Sequence, residues 1–179
     1  KISDILQAVQ VRGHLESLAA RLLAQSSGRK KFLPDMAKAI DTIDAKIKQG
    51  SLDESAIREM QEANELFHLS ILKGCGNDYI GFTCDQISHL PMLAVGSMVF
   101  DRAVSDSPDH LERGLFRLQL GNAQHQVIYD AIEGGDAVRA EGMMREHSNT
   151  MIEYIQTFES REKNLTVSDL ISYSGIGGE

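Results

Sequence analysis

Apolar residues recur at the spacing of an α-helix along almost the whole chain, and this pattern constrains the fold more than any other feature. The first stretch, from about Ser3 to Gln25, carries a broad apolar stripe and ends at Ser26-Ser27-Gly28. The chain has only 3 Pro among 179 residues, so few positions interrupt a helix. The pattern therefore predicts an all-α protein.

Capping and turn residues divide this pattern into six or seven helices. Beyond the first, helices are predicted from about Leu33 to Gln49, from about Ser51 to Leu72, from near Asn77 towards Phe100 with a kink or break at Pro91, from Ser107-Pro108 to Glu133, and from Asp136 to about Glu162. The predicted loops are short and no segment has a convincing strand pattern. We therefore expect an antiparallel bundle with one domain over residues 1–163 and a polar tail over 164–179.

Composition excludes several classes of function. The net charge is −8, and the only basic cluster is Arg29-Lys30-Lys31, which is expected to be a solvated loop between helices. Since a surface that binds duplex DNA normally carries a basic patch, this domain should not bind DNA well by itself. No apolar run is long enough to cross a membrane. Two cysteines, Cys75 and Cys84, fit structural thiols in a reducing cytoplasm.

A pair of histidines is placed symmetrically about a predicted turn. His125 precedes Asp136 by 11 residues and His147 follows it by 11, with Gly134-Gly135 between them. Because a helix rises about 1.5 Å per residue, equal counts from the turn predict equal depth on neighbouring helices. Two imidazoles at one level can hold a metal ion or a ligand, although two unrelated histidines on a plain helix connection would show the same spacing.

His68 is a third candidate, and it shares a helix face with Asn64 four residues earlier. Three imidazoles and one amide could therefore face one cavity, and imidazole suits Zn²⁺, Ni²⁺, Cu²⁺ or Fe²⁺. The remaining histidines, His14, His89 and His110, are expected to have no role in a site.

Arg12 and Arg21 lie within the apolar, Ala-rich first helix. Both could be surface residues with buried stems. Alternatively, an arginine on the inner face could bind a small organic acid through two parallel hydrogen bonds, and Arg12 is the candidate for this role.

Three segments together resemble the FCD domain, the effector-sensing domain of the FadR subfamily of GntR transcription regulators. The resemblance covers about Ile5 to Phe158. The segments are Val11-Arg12-Gly13-His14-Leu15-Glu16-Ser17-Leu18-Ala19-Ala20-Arg21-Leu22, Phe67-His68-Leu69-Ser70-Ile71-Leu72-Lys73-Gly74-Cys75-Gly76-Asn77, and His125-Gln126-Val127-Ile128-Tyr129-Asp130-Ala131-Ile132-Glu133-Gly134-Gly135-Asp136-Ala137, which continues to His147.

This resemblance implies a dimerising helical bundle that senses a small carboxylate. Many members hold a divalent metal through one Asp and three His, and the histidines correspond to His68, His125 and His147. Zn or Ni is the expected metal. The effector would complete the metal shell and meet Arg12, and Asn77 is a further residue assigned to effector binding.

The chain departs from the family pattern in two places. The family's aspartate is Asn64 here, so metal binding through this residue is expected to be weak or mediated by water. The alternative is a metal-free site that binds an anion through the three imidazoles and Arg12. The winged helix-turn-helix is absent from this sequence, so we expect operator DNA to be bound only through that missing N-terminal domain. A cytoplasmic homodimer without a membrane partner is the expected form.

Two other functions are compatible with the same residues. A three-histidine metal could activate water in a hydrolase. However, Glu65 is the nearest carboxylate along the chain and points about 100° away from Asn64 on the helix, so no convincing general base is evident. The third possibility is a helical interaction module whose histidines are incidental.

Overall fold

The computed structural model describes residues 2–88, 95–101, 107–161 and 170–172, and it confirms the predicted all-α fold. Within these ranges it contains six α-helices, a 3₁₀ turn and two short strands. The helices are α1 (Ile2–Gln25), α2 (Leu33–Gln49), α3 (Glu54–Gly74), α4 (Asp78–Ile87), α5 (Pro108–Gly134) and α6 (Ala137–Arg161); the 3₁₀ turn is Arg29–Lys31. The basic triplet therefore lies between two helices, as expected.

The helices bury their apolar stripes against one another. The most extensive contacts join α1 to α6, α2 to α3 and α5 to α6, and α2 also packs on α5. Phe67, Met60 and Leu23 are among the fully buried side chains of the core. The broad stripes read from the sequence thus explain why six helices pack around one main core.

Local capping residues set the register of the helices that carry the histidines. The Asp53 carboxylate accepts a hydrogen bond from the Ala56 amide at 2.8 Å and starts α3. Gly135 adopts the left-handed conformation with φ 74° and ends α5, which a residue with a side chain would do only with strain. Asp136 then accepts from the Arg139 amide at 3.0 Å in the first turn of α6.

The fourth helix is shorter than the sequence predicts. It ends at Ile87 rather than near Phe100, where the Ser88 hydroxyl donates to the Cys84 carbonyl at 2.7 Å. The chain cannot continue as helix to Phe100, because Gly96 has φ 72° and the following segment is a strand. Pro91, the predicted kink, and His89 lie outside the described residues.

Two strands form a small antiparallel pair that the sequence did not predict. β1 (Val99–Asp101) pairs with β2 (Leu170–Ser172), with Val99 opposite Ser172. Segments of three residues are too short to show a period-two pattern, which explains why the sequence indicated no strand.

Among the described helices, none combines the length and apolar character needed to cross a membrane.

Candidate functional site

The three predicted histidines converge from three helices. His68 comes from α3, His125 from α5 and His147 from α6, and one ring nitrogen of each lies within 4.8 Å of the others. The Nε2 atoms of His125 and His147 are 3.1 Å apart. The equal depth predicted from the symmetric spacing about the α5–α6 turn is therefore confirmed.

The second ring nitrogen of His125 is held by an amide of its own helix. Its Nδ1 lies 3.3 Å from the Oδ1 of Asn122. The Asn122 amide is oriented at its other end, where Nδ2 donates to the Ile40 carbonyl at 3.1 Å. Because the oxygen faces the ring, Nδ1 of His125 must be the donor and carry the proton.

His147 is held in the same way. Its Nδ1 lies 2.8 Å from the Oε1 of Gln124, and Nε2 of Gln124 donates to the Thr150 hydroxyl at 3.0 Å. This second anchored amide also assigns the proton of His147 to Nδ1.

A buried carboxylate holds His68. The Nδ1 of His68 lies 2.5 Å from Oε2 of Glu16, and Nε of Arg12 lies 3.1 Å from Oε1 of the same carboxylate. All three residues are about 95% buried, since Arg12 and Glu16 are 5% exposed and His68 is 6% exposed. Burial alone would raise the pKa of Glu16, but the contacts with His68 and Arg12 lower it to about 2, so Glu16 is an anion at neutral pH.

The other two imidazoles are neutral. Burial and the neighbouring rings of His147 and His68 hold the pKa of His125 well below its ordinary value of 6.5. Burial, together with the nearby His68 ring, lowers the pKa of His147 to about 3, although Glu16 acts in the opposite direction. Neutral imidazole is the form that ligates a metal.

The geometry of the facing nitrogens fits a bound cation. With Nδ1 protonated on both rings, the Nε2 lone pairs of His125 and His147 face each other at 3.1 Å and repel unless a proton or cation lies between them. Metal–nitrogen bonds of about 2.0–2.1 Å at a tetrahedral angle would place two ligand nitrogens about 3.3 Å apart, close to this separation. Polar partners that orient metal-ligating histidines through the other ring nitrogen are typical of metal centres.

The histidines open onto a cavity of about 110 Å³. Arg12, Glu16 and Arg117 contribute charged groups to its lining, and Asn64 contributes an amide. The Arg117 guanidinium lies on the ring of Tyr154, 2.9 Å from its centroid. By the same measure a single water needs roughly 10–15 Å³, so the cavity has room for a small ligand.

The remaining predicted site residues differ in position. Arg12 and Asn64 line the cavity. Asn77 is not among the lining residues; its side chain accepts from the Tyr79 amide at 3.2 Å and caps α4. Arg21 pairs with Glu141 at 2.6 Å on a partly exposed surface.

Glu16, Asn122 and Gln124 are functional candidates that the sequence reasoning did not select. Each is a polar residue on a helix that buries its apolar stripe, and each is buried here. The spacing of Arg12 and Glu16, four residues apart, was a readable signal for an ion pair on one helix face. The partners of the histidines could not be read from spacing, because two of them orient their amides through contacts with other helices.

Comparisons with known proteins identify a matching family and a similar protein. The model of the FCD domain family matches residues 7–150 of the chain. Among curated proteins, the chain is similar to the HTH-type transcriptional repressor GlaR of Escherichia coli (strain K12), with 24% identity over 156 residues. This alignment covers 86% of the chain and 64% of the relative, so the chain spans less than two thirds of that protein's length.

Proposed function

The chain belongs to the FCD domain family, and on that premise we propose that it is the effector-sensing domain of a GntR-type repressor of the FadR subfamily. The ligand would be a small organic acid bound in the histidine cavity through a divalent metal. The name of the similar repressor supports transcriptional regulation as the role of the whole protein.

The arrangement of the three histidines carries this proposal. Each of His68, His125 and His147 has an oxygen acceptor at Nδ1, which leaves Nε2 as the nitrogen available to the cavity. These three residues would hold the cation, and Zn²⁺ or Ni²⁺ suits an all-imidazole donor set. A cation held by three protein ligands supplies open positions for an exchangeable ligand.

The charges around the cavity favour an anionic effector. Among the described residues, Arg12, Arg117 and Glu16 are its charged lining residues, and a divalent cation would add further positive charge. A carboxylate would balance that charge. We propose Arg12 as its partner, since a guanidinium has five N–H donors and the pair with Glu16 does not by itself preclude a bond to a carboxylate. Asn64 as a weak or water-mediated ligand, and Asn77 as an effector contact, stay predictions.

The regulatory mechanism we propose is a shift in population between two geometries of a homodimer. The effector would bind one geometry better and bias DNA binding by that difference in affinity. We propose that operator DNA is bound by a winged helix-turn-helix outside this sequence and that the protein acts in the cytoplasm. The net charge of −8 agrees with a domain that does not itself contact DNA.

The converging histidines also favour a second candidate, a hydrolytic metalloenzyme. Within the described residues, Glu16 is the one carboxylate of the cavity lining. It is held by both Arg12 and His68, and its pKa of about 2 makes it a weak base at neutral pH. We therefore propose that the domain is not an enzyme; turnover of a small ester or amide that disappeared on chelation would contradict this.

The proposal is tested by metal content and binding. Protein purified without chelators should contain a divalent metal by elemental analysis, and native mass spectrometry should detect any retained acid. In calorimetric titration with Zn²⁺, we expect His125→Ala and His147→Ala to lower affinity at least about 100-fold, with helical content unchanged. His14→Ala, at an exposed position, is the matched control. Equal Zn²⁺ affinity in wild type and both cavity variants would contradict the proposal.

A further inference from the structure

Two buried amides of α3 hold the backbone of residues 95–98, which we call the cavity loop. We propose that Gln61 and Asn64 are positioning residues that fix this loop as one wall of the effector cavity, and that Asn64 serves as a backbone anchor rather than as the fourth metal ligand. The part of this inference that concerns the effector rests on the function proposed above.

The contacts between these residues are short and reciprocal. The Gly96 carbonyl accepts from Nδ2 of Asn64 at 2.6 Å and from Nε2 of Gln61 at 2.9 Å. The Oε1 of Gln61 in turn accepts from the backbone N–H of Met98 at 2.6 Å. Two side chains, three residues apart on one helix face, thus make three hydrogen bonds to the backbone of the loop.

Because both amides are buried, the loss of one of these hydrogen bonds would be costly. Gln61 is 1% exposed and Asn64 is 6% exposed, so neither amide can exchange its partner for bulk water. A buried polar group that loses its partner costs more than the bond itself contributes. The hydrogen bonds from these two side chains therefore fix the position of the loop backbone.

The loop backbone approaches α3 closely. A Cβ added to Gly96 would lie 2.6 Å from the Cα of Glu65 and 3.1 Å from the carbonyl oxygen of Asn64. Gly96 also has φ 72°, a conformation that residues with side chains rarely adopt. Glycine at this position lets the Gly96 carbonyl come within reach of both amides.

The chemistry of the anchor explains an asparagine at position 64. An aspartate there would be a metal ligand in the family pattern, but an ionised carboxylate has no hydrogen to donate. It would place a negative oxygen close to the Gly96 carbonyl oxygen, where Asn64 now donates at 2.6 Å. Asparagine gives up the charge of a metal ligand and gains a donor for the loop.

The anchored loop is part of the site. Gly96, Ser97 and Met98 line the cavity, and the next residue, Val99, begins β1, which pairs with β2. A ligand in the cavity therefore touches a segment that α3 holds from the other side. Through β1 this segment is continuous with a strand pair that includes residues near the C-terminus.

Hydrogen exchange of the intact chain tests the anchor. We expect Asn64→Ala and Asn64→Asp each to accelerate backbone exchange in residues 95–98 by roughly tenfold or more, since each removes a hydrogen bond to the loop. Asn149→Asp, the same change on the exposed face of α6, should leave loop exchange as in wild type. Unchanged loop exchange in both Asn64 variants would overturn the proposal.

Two substitutions at Gln61 should change exchange of the Met98 amide differently, which general destabilisation of the protein would not do. Gln61→Glu loses the donor to Gly96 but keeps an oxygen for the Met98 N–H, whereas Gln61→Ala loses both. We therefore expect the Met98 amide to exchange several-fold more slowly in Gln61→Glu than in Gln61→Ala. Equal Met98 exchange in the two variants would contradict a direct bond.

Zn²⁺ titration separates the anchor role from a ligand role. If Asn64 is an anchor, Asn64→Ala should keep Zn²⁺ affinity within about threefold of wild type, whereas His147→Ala should lower it about 100-fold. A loss in Asn64→Ala as large as that in His147→Ala would show that Asn64 is a ligand and overturn the proposal. Wild-type protein that bound no Zn²⁺ would refute the proposed metal site, while loop exchange would still decide the anchor.

Discussion

At the scale of single residues, the Glu16 carboxylate links the two basic side chains next to it in the cavity wall. It contacts Arg12 through one carboxylate oxygen and His68 through the other. A buried carboxylate between a guanidinium and an imidazole neutralises the first and orients the second. One side chain thereby places an arginine at the cavity wall and aims a histidine into it.

Replacement of Glu16 by Gln should weaken metal binding without removing a metal ligand. Gln keeps an oxygen for Nδ1 of His68 but loses the negative charge beside the imidazole, and its amide hydrogens would face Arg12. Because partners of metal-ligating histidines affect affinity by about 10–100-fold, we expect a Zn²⁺ affinity lower by that factor.

Titration of Zn²⁺ against a competing chelator measures this effect. Glu141→Gln is the matched control, since Glu141 pairs with Arg21 at 2.6 Å on the protein surface. The assigned role of Glu16 is wrong if both variants bind Zn²⁺ as wild type does.

Helices α1 and α6 approach each other closely at Gly13. A Cβ added to Gly13 would lie 2.1 Å from Oγ and 2.8 Å from Cβ of Ser148. Rotation of the hydroxyl could relieve the first contact but not the second. Arg12, next to Gly13, and His147, next to Ser148, both line the cavity, so the spacing of these two helices sets the width of the site.

Gly13→Ala should therefore destabilise the protein by about 1–3 kcal/mol, the usual cost of overpacking a close contact. Urea denaturation measures the change. Gly142→Ala, on α6 with open space around its Cβ position, should instead stabilise by about 0.5–1 kcal/mol, because alanine favours helix.

A second substitution distinguishes steric crowding from other effects. Ser148→Gly removes the atoms that the new methyl group meets, so it should restore much of the stability lost in Gly13→Ala. Additive losses in the double variant would contradict the steric explanation.

At the scale of the whole molecule, the buried ionisable groups make stability depend on pH. His125 and His147 stay neutral in the folded protein, with pKa values below 6.5, whereas in the unfolded chain they bind protons near pH 6.5. Glu16 is ionised in the folded protein with a pKa of about 2, against 4.5 when unfolded. In each case the unfolded state binds more protons as the pH falls.

Chelator-treated protein should therefore lose stability as the pH falls from about 6.5 towards 3, with a further contribution from Glu16 below about 4.5. Each proton taken up only on unfolding contributes a slope of about 1.4 kcal/mol per pH unit. Urea denaturation from pH 7.5 to 4.5 measures this. His147→Gln should give a shallower slope, and a free energy of unfolding independent of pH over this range would contradict the argument.

Much of the fold could be predicted from the sequence, because the spacing of apolar residues within a few turns indicates a helix. The apolar stripes, the Ser107 cap and the Gly135 turn all act within a few residues, and all appear in the structure. The fourth helix was predicted too long, and the Gly96 backbone, which lies within its predicted span, is instead held by side chains of α3. That contact joins residues more than 30 positions apart.

The sequence by itself determined an all-α bundle and the common depth of His125 and His147, because both follow from helix geometry on either side of one turn. Only the tertiary structure decided which atoms meet around them: Glu16 on His68, anchored amides on the other two rings, and Asn64 on the cavity loop. Such contacts join separate helices and loops, or depend on which way the oxygen and nitrogen of a side-chain amide point. Helix periodicity specifies which face a residue occupies, but only packing specifies which partner that face meets.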